Sequence, residues 1–484
     1  MGKSGKKKKE VIKFGTDGWR AVIGDTYTYE NVQVAAQAIA EYVKTHKNDA
    51  KRKSGRGVVA LGYDTRFQSD KFAELAACVL AANGVKVILA NGPTPTPAVS
   101  YLIQRKGLTG GVMITASHNP PQYNGIKYKA YYAGSAGSDI IEKIESRLRK
   151  SAVKTMLFDE AIEKRKIVIE DMRPAHKAFL RSYLNMSLLK RSPLKVLVDI
   201  MYGTGDDYIA GMLAGTRVKV TTMHTEANTS FGGINPEPIE KNLRELIRET
   251  KRGRFDIGVA TDGDADRVGA ASPDGRIISS HTIMALILLH FVEDKGYRGE
   301  VVKTISGSTL LDRICQKHRL KMHETPVGFK YVAELMMTRN VLIGGEESGG
   351  IGFKGYMPER DGTLSAILLL EMMAHRRKGI LQILKDVEEV YGKFRYGRID
   401  THYPEDKKAR LIPALKKKHL KKILGKDVAC VKSYDGIKLI RSDDSWLLLR
   451  LSGTEPILRI YAEASSDKEV ARLLAFGKKV ANNI

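Results

Sequence analysis

Through most of the chain, short apolar runs alternate with segments whose apolar positions recur at helical spacing, the pattern of α/β layering. Val58-Val59-Ala60-Leu61-Gly62 reads as a strand, Phe72 to Ala82 as a helix and Val85 to Ala90 as a second strand. Pro93 to Pro97 then reads as a turn and Gly111 to Ile114 as a third strand. A second unit opens at Lys195-Val196-Leu197-Val198-Asp199, turns at Gly203-Thr204-Gly205 and runs through Asp256 to Thr261. A third begins near Arg276, carries an apolar helix over 281–292 and includes the run from Val341 to Gly350. Towards the C-terminus the pattern changes: short strands such as Trp446 to Leu451 and Leu458 to Ala462, then a helical end, predict an α+β unit. The order predicts four domains, 1–172, 173–275, 276–394 and 395–484, the first three sharing one α/β plan.

Length agrees, because 484 residues exceed what one ordinary core supports. No apolar run approaches the ~20 residues of a membrane span, and the best one, Ile283 to Leu289, reads as a buried element. The lysine-rich stretch from Gly2 to Lys9 lacks the apolar segment of a secretory signal. Cys78, Cys315 and Cys430 lie far apart without metal-ligand spacing and read as reduced thiols, so a cytoplasmic location is expected. A net charge of +25 fits an anionic substrate but exceeds what a small anion needs, which makes nucleic acid a competing partner. Yet the lysines are scattered or sit in runs such as Lys416-Lys417-Lys418 and Lys421-Lys422. No aromatics interleave them, and no helix-turn-helix, zinc or RNA-recognition pattern accompanies them. They read as solvated surface, with nucleic-acid binding limited to weak electrostatics.

The candidate chemistry sits in loops. Thr115-Ala116-Ser117-His118-Asn119-Pro120 places a serine hydroxyl just beyond a strand, and no Gly-x-Ser-x-Gly surrounds it to suggest acyl transfer. His118 and Lys127 supply proton-handling groups nearby, and a phosphoserine there would need cations to hold its ~1.5 to 2 negative charges. Asp262-Gly263-Asp264-Ala265-Asp266-Arg267 offers three carboxylates at alternate positions, an oxygen-ligand set for Mg2+ on what reads as an exposed loop. An EF-hand is excluded, since Arg267 and Pro273 stand where it requires glycine and glutamate. Glu346-Glu347-Ser348, between paired glycines, presents acceptors suited to sugar hydroxyls. Arg450-Leu451-Ser452-Gly453-Thr454-Glu455-Pro456 combines a guanidinium, two hydroxyls and loosened amides into an anion nest, and Arg459 follows on a strand.

Taken in this order, the four loops resemble those of the α-D-phosphohexomutase superfamily, the phosphoglucomutases and phosphomannomutases. The resemblance runs from Phe14-Gly15-Thr16-Asp17-Gly18-Trp19-Arg20 to Arg459, nearly the whole chain. It implies four domains around one cleft, three of them α/β and the last an α+β TATA-binding-protein-like unit. It also implies that Ser117 is phosphorylated and that Mg2+ is held by this phosphoserine with Asp262, Asp264 and Asp266. Arg267 would steady the phosphoryl group, Lys127 would assist proton transfer with His118 nearby, and Arg20 would add positive charge. Glu346 and Ser348 match the sugar-hydroxyl loop, and Lys330, in Pro326-Val327-Gly328-Phe329-Lys330, matches a substrate-recognition position. Arg450, Ser452, Gly453 and Thr454, with Arg459, match the loop for the substrate phosphate.

The activity so implied is that of an isomerase interconverting glucose 1-phosphate and glucose 6-phosphate, with glucose 1,6-bisphosphate as intermediate and activator. Glu-Glu-Ser together with Gly-Phe-Lys is similar to the glucose-type branch rather than to the Glu-Gln-Ser of glucosamine mutases. Gly350 stands where many mannose-type and glucosamine-type members carry histidine. A phosphomannomutase or dual-specificity enzyme is the alternative, and a nucleic-acid-binding protein on a mutase fold is the alternative from another class. A monomer or homodimer is expected.

Overall fold

The protein is described from a computed structural model over residues 12–15, 17–46, 57–205, 208–418, 420–452 and 457–484, with Glu405 as backbone only. The lysine-rich N-terminus, Gly453 and Thr454 therefore lie outside the described residues. In the first unit, Gly110–Ile114, Val58–Tyr63, Lys86–Ala90 and Ile167–Glu170 run parallel in that spatial order. Tyr123–Ala130 and then Trp19–Val22 extend the sheet antiparallel beyond Gly110–Ile114. Helices cover the parallel strands, so Leu61, Val87 and Val112 are buried, and such strands read as continuous apolar runs rather than alternating ones.

The second sheet has Lys195–Asp199 parallel to both Lys219–Met223 and Ile257–Thr261, followed outward by antiparallel Val268–Ala271 and Ile277–Ile278. The third has Glu300–Thr304 parallel to Met322–Thr325 and Val341–Gly345, with Ile351–Phe353 antiparallel at its edge. One plan recurs in all three. The chain leaves the carboxyl end of a parallel strand, forms a short loop and returns antiparallel beside that strand, through the pairs Gly110–Ile114/Tyr123–Ala130, Ile257–Thr261/Val268–Ala271 and Val341–Gly345/Ile351–Phe353. These loops carry Ser117, the aspartates and Glu346–Ser348, at the strand ends where open α/β sheets bind ligands.

The fourth unit is a six-stranded antiparallel sheet ordered Arg395–His402, Ile457–Ala464, Trp446–Leu451, Ile437–Arg441, Lys426–Lys432, Lys422–Ile423. Glu405–Lys418 and Asp467–Asn482 pack on one face around Leu411, Leu447, Ile460 and Leu473. The opposite face meets the third unit, where Ile305 packs with Trp446, Leu448 and Tyr461.

A turn at Asp274–Gly275 sends Ile277–Ile278 back onto Val268–Ala271, so the second sheet ends on that short strand. Two sequence expectations change. Pro93 to Pro97 is not only a turn: Thr96 opens the helix Thr96–Lys106, whose first turn accepts Pro97 because its missing N–H has no helical partner to lose. The apolar helix of the third unit covers Ser280–Leu289 and ends in a π-type turn over His290–Asp294. Among the described residues no helix is long and apolar enough to cross a membrane.

Candidate active site

Ser117 is fully buried and adopts φ +53°, a left-handed conformation that costs energy for a residue with a side chain. Arg66 holds that loop. Its guanidinium donates to the carbonyls of Ser117 and Asn119 at 2.6 Å each, of Pro120 at 2.8 Å and of Tyr123 at 2.9 Å. Asp64 in turn pairs with Arg66 Nε at 3.1 Å and accepts the Thr115 and Ser69 hydroxyls at 2.6 and 2.7 Å. Sequence reading missed this pair, although Asp64-Thr65-Arg66 directly follows a strand as the other loops do.

Ser117 Oγ donates to Asp262 Oδ2 at 3.0 Å, so the serine and aspartate loops of two different units touch at their functional groups. Gly263 permits the approach: a Cβ there would lie 2.9 Å from the Ser117 carbonyl oxygen. The aspartates are not on an exposed loop as the sequence suggested. Asp262, Asp264 and Asp266 are each 0% exposed, and one carboxylate oxygen from each lies within 4.8 Å of the others. Burial and the charges of the other two aspartates push Asp262 well above the usual carboxylate range, and Asp266 is also raised, chiefly by burial. Burial acts the same way on Asp264, but Lys127, Thr96 and Arg360 outweigh it and hold that group low. Asp264 Oδ1 and Asp266 Oδ1 are buried without a hydrogen-bond donor. Closely spaced carboxylates with buried oxygens that no donor uses fit a hard divalent cation.

Basic groups enclose this acidic centre and explain its burial. Lys127 Nζ lies 2.8 Å from Asp264 and 3.0 Å from Asp17. Burial disfavours its charge, yet Asp17, Asp264 and Asp266 together raise its pKa. Arg360, from the third unit, reaches Asp266 at 2.6 Å and Asp17 at 2.8 Å. Arg267 Nε stands 3.7 Å from Asp266 and 3.9 Å from Asp262. Arg20 donates to Asn119 at 2.9 Å and approaches Asp17 at 3.5 Å. Asp17 and Arg360 were not singled out from the sequence: separated by 343 positions, they are joined only by folding. His118 Nδ1 lies 3.5 Å from Ser117 Oγ. Desolvation, then Arg267, Arg20, Arg398 and Arg459, hold the ring well below its ordinary pKa and therefore neutral.

Glu346 is buried beside Arg360 at 3.6 Å, and burial pushes its carboxyl up to about 7 despite that guanidinium. Glu347 turns away to Ser306 and Thr304 at 2.6 and 3.3 Å, and Ser348 is half-buried beside it. A Cβ on Gly350 would run into Arg360 Cδ, so that arginine fills the space a larger residue 350 would need. Lys330 is drawn elsewhere, donating to Ser138 of the first unit at 2.8 Å. Arg450 and Arg459 face each other across paired strands on the sheet face turned to the third unit, and Ser452 follows at the strand end. The arrangement is three units bringing a hydroxyl, a carboxylate triad and a ring of cations together, as an enzyme of phosphoryl transfer requires.

Comparison with known proteins identifies the family. The phosphoglucomutase/phosphomannomutase models match in order: α/β/α domain I over 11–154, domain II over 175–275, domain III over 279–391 and the C-terminal domain over 401–476. A phosphoglucomutase/phosphomannomutase from Thermococcus kodakarensis is 30% identical over 479 residues, covering 96% of this chain and 98% of that one. A phosphoglucosamine/phosphogalactosamine mutase from Sulfurisphaera tokodaii is 29% identical, covering 96% and 98%. The crystal structure of a candidate phosphomannomutase from Thermus thermophilus superposes with TM-score 0.85 at 33% identity, over 97% of this chain and 99% of that one. The chain belongs to the phosphoglucomutase/phosphomannomutase family, whose members are isomerases that interconvert sugar phosphates.

Proposed function

We propose that this enzyme interconverts glucose 1-phosphate and glucose 6-phosphate through a phosphorylated Ser117 and glucose 1,6-bisphosphate. The observation that carries the reading is the 3.0 Å contact of Ser117 Oγ with Asp262 inside a buried carboxylate triad. Phosphoserine 117 gives its phosphoryl group to the free sugar hydroxyl. The bisphosphate turns end for end within the cleft and returns its other phosphate to Ser117. Asp262, Asp264 and Asp266, with the phosphoserine, would hold Mg2+, which when bound neutralises charge on the transferring phosphoryl group. Arg267, Arg20 and Lys127 hold the phosphoserine charge, and neutral His118 stands where it can take or give a proton at the serine oxygen. Glu346 and Ser348 engage ring hydroxyls, and Arg450, Ser452, Gly453 and Thr454, with Arg459, hold the phosphate that does not react. Lys330, now on Ser138, would have to swing into the cleft to take part. The four domain boundaries and a cytoplasmic setting belong to the same reading.

Glucose is favoured by Glu-Glu-Ser and by Gly350, whose neighbour Arg360 leaves no room for a histidine. A second reading, an amino-sugar phosphate mutase, is favoured by the relative at 29% identity that bears that name. Coupled turnover of glucose, mannose and glucosamine 1-phosphates on one preparation separates them, and fastest turnover of the amino sugar would overturn the glucose assignment. Labelling tests the shared chemistry. Incubation with phosphate-labelled glucose 1,6-bisphosphate should label Ser117, Ser117→Ala should take up none, and stable labelling elsewhere would sink the phosphoserine.

A further inference from the structure

We infer that Asp435 is a positioning residue that orients the Arg450 guanidinium and yokes it to the substrate-facing loop of the third unit. The inference rests on the reading of Arg450 as a substrate-phosphate ligand. Asp435 lies in the turn before strand Ile437–Arg441, and its two carboxylate oxygens accept from Arg450 Nε at 2.9 and 2.8 Å. The turn is pressed against that residue: Gly436, at φ +87°, has room for no side chain, since a Cβ would meet Arg450 Cα at 3.1 Å. The same carboxylate accepts the backbone N–H of Val327 at 2.8 Å, across 108 positions of sequence. Val327 immediately precedes Gly328, which opens the helix Phe329–Thr338 at φ +135°.

The contact is part of a seam. Glu324, just before this loop, accepts Lys432 Nζ and Tyr434 O–H at 2.7 Å each, so Lys432–Asp435 of the fourth unit is stitched to Glu324–Val327 of the third. Arg450 and Asp435 side chains are only 12% and 18% exposed, which limits solvent screening of their pairing. A guanidinium binds phosphate through a planar fork of N–H groups, and capture of Nε fixes that plane before substrate arrives. Asp435 touches no reacting atom on this account. Its effect passes through Arg450, and Val327 ties the height of that arginine to the loop of the third unit.

The test is a double-mutant cycle on the full-length enzyme with glucose 1-phosphate, reading kcat, KM and melting temperature for wild type, Asp435→Ala, Arg450→Ala and the double variant. Asp435→Ala should raise KM about tenfold with a much smaller change in kcat. In the Arg450→Ala background the same substitution should leave KM unmoved, and its effect on melting temperature should be smaller than in wild type, because the Arg450 contact is already gone and only the Val327 contact is left to lose. Asp435→Asn, which keeps an acceptor for one of the two donors, should fall between, and it is read by the same comparison if the alanine variant does not fold. Arg450→Ala raising KM while both Asp435 variants leave it unchanged would overturn the yoke alone. An equal rise in both backgrounds would also overturn it, since Asp435 would then act through Val327. An unchanged KM in Arg450→Ala would instead remove the phosphate-loop reading itself.

Discussion

Glu346 shows how one buried side chain can be tuned for work at a cost in stability. Burial pushes its carboxyl up to about 7, whereas the unfolded side chain titrates near 4.5. The folded protein thus holds this proton more tightly than the unfolded chain. The resulting stabilisation is fully present below pH 4.5 and is lost as pH rises to about 7, above which the buried charge costs about 3 kcal/mol relative to the neutral group. Glu346→Gln should therefore melt higher than wild type at pH 8 and show little advantage at pH 4.5. An equal advantage at both values, measured by calorimetry, would dismiss the buried charge as its source.

At the scale of elements, the helix Thr96–Lys106 does more than cover a sheet. Its first residue donates from N–H to the Asp264 carbonyl at 3.0 Å and from Oγ1 to the Asp264 carboxylate at 2.6 Å. The positive end of an eleven-residue helix thereby supports a buried anion of the neighbouring unit. Thr96→Val keeps the volume and removes the Oγ1 donor, and it should cost about 1.5–3 kcal/mol in urea unfolding. No measurable loss would show that the carboxylate finds another donor. This helix also marks the limit of sequence reading. Its start lay hidden in Pro93 to Pro97 because proline favours turns and first helical turns alike. Strands such as Lys195–Asp199 and Trp446–Leu451 were legible to the residue, since apolar runs report burial locally. Ser117 and the aspartates were legible because their chemistry is concentrated in a few adjacent positions. Arg66, Asp17, Arg360 and Asp435 were not. Each acts on partners far away in the chain, and apart from the strand before Arg66 and the motif that contains Asp17, nothing local distinguishes them from surface charges.

For the whole molecule, the aspartate triad is a charge defect where three units meet: Lys127 comes from the first, the triad from the second and Arg360 from the third. A cation bound there should tighten the assembly as well as serve chemistry. Mg2+ at a hundredfold excess over its dissociation constant stabilises by about 2.7 kcal/mol, enough to raise the melting temperature by a few degrees. Asp264→Asn should abolish most of that gain and lower turnover roughly 100- to 1,000-fold. A melting temperature indifferent to Mg2+ and chelator in the wild-type enzyme would refute the metal site independently of any activity assay. The charge of +25 stays a surface property on this account, because the cations placed around the triad are matched there by carboxylates.

The crowding of Gly350 by Arg360 constrains how such an enzyme can evolve. A histidine at 350 cannot enter while Arg360 keeps its place, and losing Arg360 first takes from Asp17 and Asp266 their nearest cation. Either single step passes through a damaged ancestor, so the two positions should change together or not at all, leaving lineages locked into one pairing. Gly350→His alone should be destabilised by about 1–3 kcal/mol from overpacking, and adding Arg360→Gly should restore part of that loss. A well-folded single variant with unchanged melting temperature would show that the path between branches lies open one residue at a time.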